Sequence, residues 1–494
     1  MIDSRTLSAL GVFALAAAFF SSANAATGTD SKLTPMQGGR VSPAPAPILP
    51  PSGETWTMPK IAEQPQWGAN IQRSMKLMAT STRSKRNRVR VLFYGQSITE
   101  QTWSKMVADD LRRRFPHTDF DIRNLAIGGF VSQLLLKTAE QDLYPFYPDL
   151  MIFYVYGSHI DYDKIIENTR RRTTADIVLQ TDHPSGAGDL TEETDPSRLS
   201  PANWGPWWNH VFLPETARKY NAELVDQRSA WKNYLKAEKL EPKLFLADDV
   251  HLNGRGNALM ATLVSPYLRY DPKLPVTTAS SVRDYAIGKN LKWNKGRIKM
   301  TFSGNRIDVI ADEMSKKAGA PIRVLVDGKA PSKIMGTTAF TRSSVGHATW
   351  GPAIMRFDSQ AVLVPENWTA KITEISDDGK KFKYSVRGSV TGDDGIGDSE
   401  KIFVSDSERV VIDPKDWWLG FSSAPMPVGF EVTWKSVPQY IDTYTSPKIV
   451  DQASEYSTTL AQGFANTTHT LELIVSGKNP PNIKTIRVYE PSLK

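Results

Sequence analysis

A serine that could act as a nucleophile follows an almost continuously apolar run. Residues 89–94 lead into Gly95, Gln96 and Ser97, and a helix is expected to begin there. A serine in that position lies at the carboxyl end of a buried strand and beside a helix N-terminus, which stabilises negative charge. Because serine is also a common helix cap, the pattern alone leaves a catalytic and a capping role open.

An aspartate and a histidine further along the chain provide the groups that would activate such a serine. Asp248 precedes His251 by three residues, and the whole chain has 7 histidines. One short loop can therefore present the imidazole and hold its Nδ1 with the carboxylate, which fixes the tautomer that a general base needs. A polar turn before a helix beginning near Asn253 would explain the same residues without any chemistry.

Two more apolar runs end in residues that could stabilise an oxyanion. Gly128 and Gly129 follow one of them, and glycine lets a backbone N–H approach a ligand closely, although a plain turn explains it equally well. The other run ends in a polar segment, residues 154–161, that contains His159. In a parallel sheet these strand ends meet at one edge, so their convergence is stronger evidence than any single motif.

The elements that must position these residues alternate between strands and helices. The apolar runs are residues 89–94, 120–125, 150–156 and 177–180. Between the first two, Trp103, Met106, Val107, Leu111 and Phe115 recur at helical spacing. Continuous apolar runs suit strands that are buried on both faces, so this half predicts an α/β fold with a parallel sheet between layers of helices.

The second half predicts a different class of fold. Beyond about residue 276, short runs alternate apolar and polar residues between Gly, Asn, Asp and Pro turns. This texture is typical of an antiparallel β-sandwich, here of jelly-roll-like form at residues 282–494, joined by a linker at 271–281. The span is large for one simple sandwich.

The N-terminus resembles an export signal. Residues 7–20 are apolar and the small-x-small sequence Ala23-Asn24-Ala25 follows, which predicts a signal peptide at residues 1–25. An uncleaved anchor is the alternative. A Pro-rich linker is expected at residues 26–60. The protein is therefore expected to be exported, to the periplasm or the medium, without stable membrane insertion.

The composition excludes several other chemistries. The chain has 494 residues and no cysteine, which removes disulfides, thiol nucleophiles and thiolate metal sites. Its 60 Lys and Arg against 53 Asp and Glu give a formal charge of +7 without one long basic tract. Nucleic-acid binding is not indicated, whereas a negatively charged polysaccharide is compatible with this charge. Nucleotide-binding and zinc-protease motifs are absent from the sequence, and neither a metal nor another cofactor is expected.

Four blocks, in this order, resemble those of the SGNH (GDSL-like) hydrolase superfamily. They are Gly-x-Ser-Ile-Thr at residues 95–99, Gly129, a Gly-led block beginning at Gly157, and Asp248-x-x-His251. The resemblance covers about residues 88–270 and implies a three-layer α/β/α domain with a central parallel sheet, which we place at residues 61–270. An Asp in the family's first block is replaced here by Gln96, at a position outside the catalytic groups.

The resemblance also implies a role for each residue. Ser97 would be the nucleophile, His251 the general base and Asp248 the acid that orients it. The backbone N–H groups of Ser97 and Gly129 would form the oxyanion hole. His159 stands where the family has an Asn as third donor. Since neutral imidazole can donate one N–H, His159 could fill that role, or it could face the substrate.

The implied function is ester hydrolysis on a carbohydrate. The chain resembles exported carbohydrate O-acetyl esterases with an appended β-sandwich, which implies removal of acyl groups from a polysaccharide or oligosaccharide. Two alternatives stay open: O-acetyl transfer to a sugar hydroxyl, and a non-catalytic polysaccharide-binding protein in which His159 marks a decayed oxyanion hole. The oligomeric state is left open as well.

Other residues could contact the substrate. Asp182 and His183, after the fourth run, and Gln96, beside the serine, are candidate substrate-binding residues. Several tryptophans are either core residues or sugar-stacking platforms: Trp204, Trp207, Trp208, Trp417 and Trp418.

Overall fold

The computed structural model describes residues 42–45, 57–276, 281–312, 319–347, 349–378, 380–418, 427–477 and 482–494. The predicted signal peptide and most of the predicted Pro-rich linker lie outside these residues. All the described residues belong to one unit, Met36–Lys494. Within them, every helix is too short or too polar to cross a membrane.

A parallel sheet of five strands forms the centre of the first half. Its strands are β1 (Arg88–Gly95), β2 (Asp119–Asn124), β3 (Leu150–Tyr154), β4 (Asp176–Gln180) and β5 (Glu223–Val225). They lie in the order β2-β1-β3-β4-β5, with every neighbouring pair parallel. All residues of β3 and β4 are buried, which explains their uninterrupted apolar sequences, whereas the edge strand β2 is partly exposed.

Helices cover both faces of this sheet. They are α1 (Gln72–Ala79), α2 (Ser97–Glu100), α3 (Thr102–Arg114), α4 (Ser132–Thr138), α5 (Leu143–Phe146), α6 (His159–Arg172), α7 (Ala187–Leu190), α8 (Trp204–Trp207), α9 (Leu213–Lys219), α10 (Gln227–Glu238) and α11 (Gly254–Val264). Side chains of β1 alternate between two cores: Val91 and Phe93 pack in the core that includes α3 and α11, and Leu92 and Tyr94 in the core that includes α4 and α6. The predicted three-layer α/β/α arrangement is confirmed.

Antiparallel strands make up the second half. They are β6 (Ser281–Ala286), β7 (Arg297–Ala311), β8 (Ile322–Val326), β9 (Thr338–Phe340), β10 (Glu366–Ile375), β11 (Phe382–Gly388), β12 (Gly392–Asp398), β13 (Phe403–Val404), β14 (Val411–Ile412), β15 (Glu431–Pro438), β16 (Thr443–Tyr444), β17 (Ser457–Val475) and β18 (Ile483–Glu490). The predicted antiparallel β class is confirmed. The boundaries proposed for the domains and for the linker at 271–281 stay predictions, because residues 277–280 lie outside the described part.

One sheet of this half has six strands and an interruption in its longest pairing. Its six strands lie in the order β16-β8-β17-β7-β18-β6, and the pairing of β17 with β7 is interrupted between Gln462 and Thr467. Residues from both ends of β7, such as Phe302 and Val309, share a single core. Gly304 lies between them with φ 150°, and a Cβ there would be 2.3 Å from the Tyr489 carbonyl oxygen. Residues 297–302 and 307–311 are apolar–polar runs that would suit two strands, but they belong to the single strand β7, with Gly304 between them.

The other sheet belongs to an insertion between β8 and β16. We call residues 337–438 the inserted module; its main sheet has the order β12-β11-β10-β15-β9. It has its own core, which includes Trp368, Tyr384 and Trp434. It also contacts the α/β part, since Met355 packs in the core beside α4 and α6 and Arg342 pairs with Asp142 at 2.6 Å. This insertion explains why the second half is too long for one sandwich.

Candidate active site

Ser97 lies at the carboxyl end of the parallel sheet, as the first residue of α2. It follows β1, which has β2 on one side and β3 on the other. The strand order reverses at this point, and open α/β sheets bind their ligands in the crevice that results. The Ser97 Oγ is 2.9 Å from Nε2 of His251, so the fold joins residues that are 154 positions apart in sequence.

A tight loop holds Asp248 against His251. The Asp248 Oδ2 is 2.8 Å from Nδ1 of His251, and its Oδ1 accepts hydrogen bonds of 2.7 Å from the backbone N–H groups of Val250 and His251. Burial alone would raise the pKa of Asp248, but these hydrogen bonds outweigh it and hold that pKa below its usual value. Since the ionised carboxylate can only accept, Nδ1 carries the proton and Nε2 is left to accept from the serine hydroxyl.

Gln101 connects the loop that contains His251 to the segment that contains Ser97. Its side-chain Nε2 donates to the Leu252 carbonyl oxygen at 2.9 Å, and its Oε1 accepts from the Leu252 N–H at 3.1 Å. Gln101 stands between α2, which begins with Ser97, and α3, while Leu252 follows His251. The pair of hydrogen bonds therefore joins the segment that contains Ser97 to the loop that contains His251. Nothing in the sequence distinguishes Gln101 from a solvent-facing glutamine.

His183 supports the same loop from inside the protein. Its side chain is buried, with 7% of the residue exposed. Its Nε2 is 3.0 Å from the Val250 carbonyl oxygen and its Nδ1 is 3.1 Å from the Tyr154 hydroxyl. Burial lowers the pKa of His183 to about 4, so the neutral ring donates to Val250 and accepts from Tyr154. Both ring nitrogens are engaged within the protein, and substrate binding by His183 stays a prediction.

Gln96, next to Ser97 in sequence, and Asp182, after β4, each have an incompletely bonded polar atom. The Ser97 Oγ is 3.4 Å from Oε1 of the buried Gln96. Within the described part of the chain, Nε2 of Gln96 and Oδ1 of Asp182 have no hydrogen-bond partner. Burial raises the pKa of Asp182 to about 6 against the opposing charge of Arg228. A polar group of a substrate could satisfy such atoms, so the predicted substrate role of both residues stays a prediction with this geometry in its favour.

The turn after β2 lies beside the nucleophile. A Cβ on Gly128 would be 3.6 Å from the Cβ of Ser97. The Gly128 N–H donates to Oε1 of Glu100 at 2.9 Å, and Gly129 has φ 74°, a conformation that favours glycine. Over the described residues, the N–H groups of Ser97 and Gly129 have no acceptor. Both are therefore available to a ligand, as the predicted oxyanion hole requires.

His159 occupies different surroundings. It begins α6, and its ring lies 5.3 Å from that of Trp207 and 5.8 Å from that of Phe212, measured between centroids. Among the described residues the imidazole forms no hydrogen bond with Ser97, Gly129 or His251. The structure thus places His159 in an aromatic cluster, and its role as third oxyanion donor stays a prediction.

The inserted module reaches this site through a tryptophan that the sequence does not single out. The Trp350 Nε1 donates to the Gly128 carbonyl oxygen at 2.5 Å, and its Cζ2 would be 3.1 Å from a Cβ on Gly129. The residue is 57% exposed.

The tryptophans that the sequence does single out have other surroundings. Trp208 is fully buried, Trp417 packs on the module core, and Trp418 lies 5.3 Å from Phe130 between ring centroids. Trp204 is 38% exposed. A sequence cannot show which of these tryptophans are buried and which are exposed, because exposure depends on the element that packs against each of them.

Comparison with known proteins finds similar solved structures. No family model and no curated protein sequence matches the chain. A two-domain esterase active on acetylated mannans aligns over 86% of this chain and 96% of its own, with 13% identity and a TM-score of 0.33. An acetylxylan esterase from Geobacillus stearothermophilus covers 38% of this chain and 96% of its own, with 18% identity and a TM-score of 0.31. A putative GDSL-like lipase from Parabacteroides merdae covers 37% and 96%, with 18% identity and a TM-score of 0.30.

The function of this chain therefore has to be inferred from its own residues. The order of its motifs and strands, with Ser97 after β1 and Asp248 and His251 just before the last helix of the α/β half, resembles that of the SGNH hydrolases, followed here by an antiparallel β half.

Proposed function

We propose that the protein is a serine esterase that removes acyl groups, O-acetyl in particular, from a polysaccharide or oligosaccharide. The observation that carries the proposal is the hydrogen-bonded chain from Ser97 Oγ through His251 to Asp248, at 2.9 and 2.8 Å. Nucleophile, base and orienting acid at these distances form the arrangement that activates a serine for acyl transfer.

The geometry supports a two-step reaction. As the Ser97 Oγ attacks the ester carbonyl carbon, its proton passes to Nε2 of His251, and Asp248 stabilises the imidazolium. The carbonyl oxygen becomes an oxyanion that accepts hydrogen bonds from the N–H groups of Ser97 and Gly129. When the bond to the sugar oxygen breaks, His251 returns the proton to that oxygen and the sugar hydroxyl leaves. Ser97 then carries the acyl group.

Water completes the cycle by the same route. His251 takes a proton from a water molecule as the water oxygen attacks the acyl carbon of the serine ester. The second tetrahedral intermediate collapses, the bond to Ser97 Oγ breaks, and the proton returns from His251 to the serine. The products are the free carboxylic acid and the restored enzyme.

The position of the site supports the proposed substrate class. The side chains of His251 and Asp248 are 32% and 57% exposed, so a bulky polymer can reach the triad from solvent. The signal peptide predicted at residues 1–25 would carry the enzyme out of the cell, where polysaccharides are found. An appended β half beside the catalytic sheet suits a substrate that extends beyond the ester.

The experiment is hydrolysis of p-nitrophenyl acetate and release of acetate from acetylated xylooligosaccharides by the chain from Ala26 onward. We expect Ser97→Ala and His251→Ala each to lower kcat by about 10³-fold or more. Ser84→Ala, an exposed serine before β1 at the opposite end of the strand, is the matched control and should behave as the wild type. Wild-type activity at background, or a Ser97→Ala variant as active as the control, would refute the esterase.

A further inference from the structure

Two cavities are lined by residues of both the α/β half and the antiparallel half. The larger, of about 600 Å³, is lined by residues of β1, β2 and α5 together with residues of β17 and the inserted module. The smaller has a volume of about 450 Å³. Arg88 and Arg90 line both cavities. These arginines are the first and third residues of β1, whereas Ser97 follows the carboxyl end of that strand.

The larger cavity has an excess of positive charge. Its charged lining residues, in the described part of the chain, are four arginines and two aspartates. Each aspartate already pairs with an arginine of the same cavity: Asp121 with Arg123 at 3.0 Å, and Asp142 with Arg342 at 2.6 Å. Asp121 lies opposite Arg90 in register, but both of its oxygens accept hydrogen bonds from Arg123. The carboxylates of this cavity are therefore neutralised without Arg88 and Arg90.

The guanidinium of Arg90 has no partner in the described part of the chain. The backbone N–H of Arg90 donates to Asp149 Oδ2 at 3.0 Å, but the side chain forms no hydrogen bond or ion pair there. The carboxylates that attract it are held by other arginines: Asp149 by Arg73 at 3.2 Å, and Asp308 by Arg306 at 2.7 Å. Repulsion from Arg306, together with burial, lowers the pKa of Arg90 below its ordinary value. An anion that reaches this partly buried cation would therefore be attracted strongly.

We propose that Arg88 and Arg90 bind the carboxylates of an acidic oligosaccharide, a chain that contains uronic acid units. Side chains two residues apart on a strand point to the same face, with their Cα atoms about 6.6 Å apart. The two arginines can therefore contact one ligand together. A guanidinium also matches a carboxylate in shape, because it can donate two parallel hydrogen bonds to it. The site lies at the opposite end of β1 from Ser97 and does not depend on the proposed esterase function.

The size and the neutral groups of the cavities suit a sugar chain. Sites for small molecules have volumes of about 300–1,000 Å³, and both cavities lie in this range. Gln439 lines the larger one, and its Oε1 accepts from Nε2 of Gln462 at 2.7 Å. Over the described residues, Nε2 of Gln439 donates to no acceptor, so it can bind a sugar hydroxyl. Because both cavities are lined by the same two arginines, an elongated ligand of several rings fits better than a small inorganic anion.

The test is calorimetric titration of the chain from Ala26 onward with trigalacturonic acid at low ionic strength. We expect wild type to bind it, and Arg88→Met and Arg90→Met each to bind it about tenfold more weakly, because each variant loses hydrogen bonds to a charged group. Arg88 is exposed, so Arg88→Met tests the site even if Arg90→Met does not fold. Arg83→Met is the matched control, since Arg83 is an exposed arginine before β1 that lines neither cavity. It should bind as wild type does.

Two further ligands show which chemistry the site recognises. Maltotriose, a neutral sugar of the same length, and sodium sulfate at matched ionic strength should each bind at least about tenfold more weakly than trigalacturonic acid. Equal binding of maltotriose would overturn the role of the carboxylates, and equal binding of sulfate would mean a general anion site without preference for a sugar. No binding of trigalacturonic acid by wild type, or the same affinity in both arginine variants, would also overturn the inference. None of these measurements involves ester turnover, so their outcome is independent of the proposed esterase.

Discussion

The acid–base side of the candidate site is built from one loop and its neighbours, whereas the oxyanion side depends on a residue 222 positions away. Asp248 and His251 are three residues apart and are supported by Gln101 from the same α/β half. The turn at Gly128 and Gly129 is instead covered by Trp350 of the inserted module. The residues proposed for proton transfer are therefore positioned within the α/β half, while the turn proposed to bind the oxyanion also contacts the inserted module.

Among substitutions outside the proposed triad, the largest effect is expected on the oxyanion side, from Gly129→Ala. An L-residue at φ 74° costs about 1–2 kcal/mol, and the added Cβ would approach Cζ2 of Trp350 at 3.1 Å. If the N–H turns away to relieve this, one oxyanion donor is lost, and kcat for p-nitrophenyl acetate should fall by about 10²–10³-fold.

Two further variants serve as controls for Gly129→Ala. Gly188→Ala in α7 adds a Cβ with no other atom within 4 Å and should leave kcat unchanged. Gly129→Ala combined with Trp350→Ala should recover part of the lost kcat if the indole contact contributes. Full activity of the single variant Gly129→Ala would show that this N–H is not used.

A smaller effect is expected on the acid–base side, from Gln101→Met. Methionine keeps most of the side-chain volume but removes both hydrogen bonds to Leu252, each worth about 1 kcal/mol. Because His251 would then be held less precisely against Ser97, kcat should fall about tenfold with KM for p-nitrophenyl acetate unchanged. Lys105→Ala, on the exposed face of α3, is the control. A lower Tm without any loss of kcat would mean that Gln101 stabilises the fold and does not position the base.

The smallest effect at neutral pH is expected from His183→Gln, and the difference in the free energy of unfolding between wild type and this variant should depend on pH. Burial lowers the pKa of His183 to about 4 in the folded protein from 6.5. Between these values the unfolded chain binds a proton that the folded protein does not, so wild type loses stability as the pH falls through this window. The loss is at most about 1.4 kcal/mol per pH unit.

The measurement is urea unfolding of wild type and His183→Gln at several pH values from 7 to 4. Asp182, whose pKa is raised to about 6 by burial, titrates in the same window in both proteins, so the difference between them isolates His183. We expect the wild-type advantage in the free energy of unfolding to shrink steadily toward pH 4. A difference that does not vary with pH would contradict a neutral, buried His183.

Much of the fold can be predicted from the sequence because a strand that is buried on both faces consists almost entirely of apolar residues. Strands β3 and β4 are buried throughout and read as uninterrupted apolar runs. Two residues of the proposed triad, Asp248 and His251, are close in sequence and share one loop. Ser97 could be predicted as a nucleophile because it stands between an apolar run and a helix.

The contacts that support the candidate site cannot be predicted from local sequence, because they depend on how distant segments pack. Gln101 lies 151 residues from Leu252, and Trp350 contacts Gly128 from the inserted module, 222 residues away. The continuity of β7 through Gly304 is hard to predict for a related reason, because a glycine between two apolar runs is equally typical of a turn between two strands. The burial of His183 depends likewise on the packing of the loop at Val250 against it.

The two ends of the inserted module lie close together, which affects how such a protein can change in evolution. The chain leaves the six-stranded sheet after β8 and returns at β16, and these two strands are hydrogen-bonded neighbours. The Ser332 N–H also donates to Asp442 Oδ1 at 2.9 Å, which joins the departing and returning chain. Insertions are tolerated where their two ends are close together. A different module could therefore be exchanged at this junction and would bring a new surface to the catalytic turn while Ser97, His251 and Asp248 stay as they are.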